Sequence, residues 1–126
     1  MNHLKSLLIL FSVSLLFHSC EKIDLGEELS VKIGERLHID WELSFKIDSI
    51  NDYRCPMDVN CIWAGDVDIF FDLGKKEEVI NLYNRDTNPF SINGYTIEII
   101  DVEPYPLSYV EVDPKDVIIK IKVEKE

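Results

Sequence analysis

The residues with the most chemical potential in this chain are its cysteines. Cys55 and Cys61 sit in the segment Tyr53-Arg54-Cys55-Pro56-Met57-Asp58-Val59-Asn60-Cys61-Ile62-Trp63-Ala64-Gly65. A pair at this spacing can close a structural staple, brace a recognition loop that presents Met57, Asp58 and Val59, or work as a redox couple. The redox reading fits worst, because five residues lie between the cysteines where thioredoxin-type motifs have two. A Ser-His-acid triad needs a histidine in a concave site with an orienting partner. His38, next but one to Asp40, falls on the expected outward face of a strand and reads as a solvated residue. Carboxylates are abundant. Asp66, Asp68 and Asp72 share one strand face, while Asp101, Glu103, Asp113 and Asp116 flank a long loop. Calcium asks for six or more converging oxygens, and neither set has the EF-hand spacing, so both read as acidic surface. With no zinc-type His/Cys cluster and no Gly-rich phosphate loop, the sequence assigns no catalytic residue, no metal and no cofactor.

The bulk composition agrees. The chain has 126 residues, 13 of them Lys or Arg and 24 Asp or Glu, for a net charge of −11. That is one domain's worth of chain. Its acidity excludes nucleic acid as a partner, since binding phosphates needs a basic patch. A 46% hydrophobic content excludes a disordered acidic chain.

Residues 1–19 differ from the rest. A short start carrying Lys5 leads into an almost wholly apolar run from Ser6 to Phe17, then His18-Ser19 before Cys20. This is the grammar of a secretory signal peptide, with an apolar run too short to span a bilayer comfortably. Leu16-Phe17-His18-Ser19-Cys20 resembles a bacterial lipobox, with Ser19 and Cys20 matching and Phe17 and His18 departing from the usual pattern. The resemblance implies cleavage before Cys20 and lipid attachment there. Two or three acyl chains, each buried methylene contributing roughly 0.8 kcal/mol, hold a protein firmly to a membrane. The expected divisions are a lipoprotein signal peptide over 1–19, an acidic tether over 20–28 and a β domain over 29–126. The expected location is the bacterial envelope, at the outer membrane, with the membrane itself and an envelope protein as partners. With Cys20 taken by lipid in an oxidising compartment, a Cys55–Cys61 disulfide is the economical assignment. Trp63 is expected to lie against it, and Ala64-Gly65 to turn the chain into the next strand.

The elements that must position this loop read in periods of two. Leu37, Ile39, Trp41, Leu43, Phe45 and Ile47 alternate with polar residues and predict one long half-buried strand, bent partway. Val67, Ile69, Phe71 and Leu73 predict another, followed by a Gly74-Lys75-Lys76 turn and a strand over Glu78 to Tyr83. Asn84 to Pro89 is dense in turn formers. Asn93-Gly94, between Phe90-Ser91-Ile92 and the alternating Tyr95, Ile97 and Ile99, predicts a type I′ hairpin. Val117, Ile119, Ile121 and Val123 predict the last strand, Leu29 to Ile33 an edge strand, and Asp113-Pro114-Lys115-Asp116 a single capped helical turn. The fold class is all-β, a small antiparallel β-sandwich or barrel of about seven strands with one short disulfide loop.

Arg54, Cys55, Pro56, Cys61, Trp63, Ala64 and Gly65, with Pro104 and Pro106 later, resemble the core of a family of small bacterial secreted proteins and lipoproteins. That family has no established activity, so the resemblance implies no catalytic residues. It leaves binding or scaffolding as the expected role. The alternative is a small inhibitor-like or ligand-binding module using the Cys55–Cys61 loop. The return segment Glu103 to Asp116 carries Tyr105 and Tyr109, which either cap the core or form a contact surface.

Overall fold

In Val67–Asp72, every second side chain is buried: Val67, Ile69 and Phe71 are inside, and Asp68, Phe70 and Asp72 lie between them. The same alternation builds the rest of the chain. The computed structural model describes residues 23–126, so the leader and Cys20 lie outside the described residues. The strands are β1 (Glu28–Lys32), β2 (Arg36–His38), β3 (Ser44–Asp52), β4 (Val67–Asp72), β5 (Glu77–Asn81), β6 (Phe90–Ile92), β7 (Tyr95–Glu103) and β8 (Ile118–Lys125). A single 3-10 turn, Pro114–Asp116, precedes β8 and is capped by the Asp113 carboxylate, which accepts from the Lys115 amide. Among the described residues the strands number eight rather than about seven, because one expected strand is two.

Two antiparallel sheets result, in the orders β1-β8-β7-β6 and β2-β3-β4-β5. They do not close into a barrel. Of the two architectures expected, this is the sandwich. Its interior is one apolar cluster fed by both sheets. Phe71 of β4 stands between Phe45 of β3 and Phe90 of β6, at centroid distances of 5.6 and 5.2 Å, and so joins the layers. Asn88 ties them at the backbone. Its side chain donates to the carbonyls of Leu82 and Ile99, each at 2.8 Å, and accepts from the Ile99 amide. The Asn93-Gly94 hairpin forms as expected, with φ of 51° and 80° and Ile92 opposite Tyr95.

The long strand predicted from Leu37 to Ile47 is corrected. It is the β2–β3 hairpin, with Leu37 opposite Phe45. Asp40 folds the chain over by accepting from the amides of Glu42 and Leu43, at 2.8 and 3.0 Å, and Ile39 closes the turn onto the Leu43 carbonyl. The alternation ran through the turn by coincidence. Trp41 is therefore in solvent rather than in the core. Register irregularities do occur, in β3 between Ile47 and Ser49 and in β7 between Ile99 and Asp101. The second resets the phase of β7, so that Ile100 faces out and Val102 returns to the core.

Candidate functional site

The Cys loop prolongs the β3–β4 hairpin. Past the last register pair, Asp52 with Val67, the Tyr53 amide donates to the Asp66 carbonyl and the Cys55 amide to that of Ala64, at 3.0 and 2.8 Å. Cys55 and Cys61 are joined by a disulfide with their α-carbons 5.8 Å apart. Within the closed ring the Val59 amide donates to the Pro56 carbonyl, so Met57 and Asp58 form the centre of a tight turn. Gly65 is indispensable to the loop base. Its φ is +73°, and a β-carbon there would meet the Tyr53 carbonyl oxygen at 2.0 Å.

Arg54 fixes the loop to the other sheet, a role its sequence context did not announce. It is the one buried charged residue among the described residues. Its guanidinium binds both oxygens of Asp52, at 2.9 and 2.6 Å, and donates to the carbonyls of Val102 and Pro104, at 3.0 and 3.2 Å. The ring of Tyr105 lies 4.6 Å from its central carbon. Burial pulls the guanidinium pKa down, but the hydrogen bonds and charge of Asp52 outweigh it and hold the group above its ordinary value. Planar, bidentate and stacked contacts at one side chain are what arginine supplies and lysine does not.

The return segment Glu103 to Asp116 packs against the same loop. The Met57 amide donates to the Pro106 carbonyl at 3.0 Å. Ser108 donates its amide and its hydroxyl to the two oxygens of Asp58. Those bonds, the hydroxyl first, hold the Asp58 carboxyl below the usual carboxylate range. The structure thus gathers the expected site residues at one end of the sandwich and divides their labour. Asp58 and Tyr105, though exposed, brace the end through contacts with Ser108 and Arg54. Met57, Val59, Trp63 and Tyr109 reach into solvent. Trp63 is 73% exposed, with Tyr53 as its aromatic neighbour at 6.4 Å. Ile62, absent from the sequence-based candidates, is fully exposed. Its signal was available: an aliphatic residue between Cys61 and Trp63, just before Ala64-Gly65, lies outside any alternating strand. A groove of about 500 Å³ runs beside this end, lined by Ile50, Val102, Pro104, Pro106, Val110 and Val112 with the carboxylates of Asp48, Asp52 and Glu103 at its margin. Each of those carboxylates is already matched, by Lys46, Arg54 and Lys120 respectively.

The other chemical candidates are dispersed. His38 is exposed on β2. Asp40 is occupied by its turn and by the hydroxyl of Tyr95. Asp66 accepts from the amides of Val67 and Tyr83, Asp68 from Tyr53 and Asn81, and Asp72 from Gly74 and Arg36. Among the described residues no group of three or more His, Cys, Asp or Glu is arranged to hold a metal ion, and no helix is long and apolar enough to cross a membrane. Comparison of the chain with family models, with curated proteins and with solved structures found no match.

Proposed function

We propose that this chain is a lipid-anchored domain of the bacterial envelope that binds a protein partner through the Cys-loop end of its sandwich. One observation carries the reading. Ile62 and Trp63 are held in solvent on a loop that a disulfide, a buried arginine and an obligatory glycine make rigid. Leaving an aliphatic and an indole side chain in water is unfavourable, and rigidity removes the ordering cost that weakens most loop contacts. Trp and Tyr are the residues that dominate protein interfaces. Catalysis finds less support, since the three carboxylates beside the groove are each paired with a cation and His38 is exposed on β2.

The test is site-specific photocrosslinking in intact envelopes. A photoreactive residue at Ile62 or Tyr109 is expected to trap a discrete protein, and the same residue at Val79, an exposed position on β5, is expected not to. Equal trapping at all three positions, or none at any, would sink the reading. The tight turn at Met57-Asp58 favours this over an inhibitor loop, which must lie extended to pair with an enzyme cleft. A second reading, an amphiphile-binding module, draws on the groove beside the loop, whose volume falls in the usual range for small-molecule sites. Native mass spectrometry with fatty acids and detergents separates the two.

A further inference from the structure

The end of the sandwich away from the Cys loop is also defined by contacts. The Gly26 amide donates to the Val123 carbonyl at 2.8 Å, so the chain enters the domain beside the last residues of β8. Lys125 stands opposite Tyr95, the Tyr95 hydroxyl donates to Asp40, and the Asn93 side chain donates to the Glu42 carbonyl at 3.0 Å. The entry point of the chain and the β2–β3 turn therefore share one end. At the tip of that turn Trp41 is 90% exposed, and Leu25 in the entering segment is 42% exposed. The turn does not need an indole. Asp40 closes it, and Leu43 resumes the core.

Five residues, Glu21 to Leu25, separate Cys20 from Gly26. Fully extended, that stretch reaches roughly 20 Å. A lipid on Cys20 would keep this end within that distance of the headgroups. Charge offers no net attraction there: Lys76 is paired with Glu78, and Lys75 and Lys125 share this end with the carboxylates of Asp40, Glu42 and Glu126. The indole supplies what charge does not, since tryptophan favours the membrane–water interface, with its ring at headgroup level.

We propose that Trp41 is a membrane-contact residue, seated in the headgroup layer of the bilayer that holds the anchor. The proposal rests on the reading of Cys20 as lipidated. It gives the domain a polarity, with the Cys loop pointing away from the membrane. The nine residues of β3, at roughly 3.3 Å each, put Trp63 roughly 30 Å farther out.

The chain has two tryptophans, so each can be read alone. The chain from Cys20 keeps every core residue, and with Cys55 and Cys61 paired its single thiol couples to a maleimide lipid in phosphatidylcholine vesicles. Brominated acyl chains in those vesicles are expected to quench Trp41 at least about twofold in Trp63→Phe, and to leave Trp63 nearly unchanged in Trp41→Phe. Equal quenching of the two, stronger quenching of Trp63, or none of either overturns the membrane-contact assignment. The anchor is decided separately, by fatty-acid labelling of the full chain in cells. Loss of label in Cys20→Ala supports it, and absence of label from the parent protein overturns it without touching the vesicle result.

Discussion

Gly65 lies directly beneath the Tyr53 carbonyl, so close that a methyl group on it would stand 2.0 Å from that oxygen. The two residues are the jaws of the Cys loop, one on each side of its base. Gly65→Ala combines a backbone clash with a left-handed φ, and is expected to destabilise the domain by about 3 kcal/mol or more. Gly94→Ala is the control. Its φ is +80° but the space beside it is open, and it is expected to cost only about 1–2 kcal/mol. Urea unfolding of the two variants checks the contrast, and equal losses would remove the special role of Gly65.

Arg54 joins the loop to β7, and removing its side chain leaves two carbonyls without their donor and Asp52 with only the residue 54 amide. Arg54→Ala is expected to cost about 3–5 kcal/mol. Arg54→Lys should recover little of that, because one ammonium cannot form a bidentate pair, reach two carbonyls and stack on Tyr105 together. Recovery of most of the stability by lysine would show that charge alone matters here.

The exposed side chains should behave in the opposite way. Ile62→Ser and Trp63→Ser are expected to move stability by no more than about 0.5 kcal/mol, since neither contributes to the core. Both should abolish partner trapping from Tyr109. Opening the disulfide with Cys55→Ser and Cys61→Ser together is expected to cost about 2 kcal/mol, as suits so short a ring. A binding face that survives both serine substitutions at Ile62 and Trp63 lies elsewhere.

Tyr95 and Asp40 set a dependence on pH. The hydrogen bond to Asp40 is the main cause that pushes the Tyr95 hydroxyl up to about 12 from its ordinary value of 10.0. The unfolded chain ionises this tyrosine first, so the contribution is full below pH 10 and is lost as pH rises through about 12. Asp40 is held below its ordinary 3.8 by the same bond, and its contribution is present above that value and lost as pH falls through the depressed one. Tyrosinate absorbance should therefore show one of the five tyrosines ionising last, and Tyr95→Phe should delete that step. Loss of an ordinary step near pH 10 in Tyr95→Phe, with the last step left in place, would exclude the bond.

Where local rules decide, the sequence was readable. The Asn93-Gly94 turn, the burial of Val67, Ile69 and Phe71, the cap at Asp113 and the Cys55–Cys61 bond depend on neighbours a few residues apart. Trp41 was misplaced because the pattern of Leu37 to Ile47 is indifferent to a turn within it. What holds the turn is partly Tyr95, 55 residues later. Arg54 was visible as a motif residue but not as a buried one, since its carbonyl partners lie 48 and 50 residues along the chain. The same distance hid the meeting of Asp58 with Ser108. A side chain whose partners lie far along the chain leaves no mark on its own neighbourhood.

Those separations have a consequence for timing. The disulfide needs only the chain through Cys61. The bonds that set the loop's attitude, from Arg54 to Val102 and Pro104 and from Ser108 to Asp58, cannot form until the chain past residue 108 has arrived and β7 is in register. A chain truncated before Val102 would carry the ring but not its orientation. The attitude of the Cys loop is in effect a certificate of completion, present only on a finished molecule.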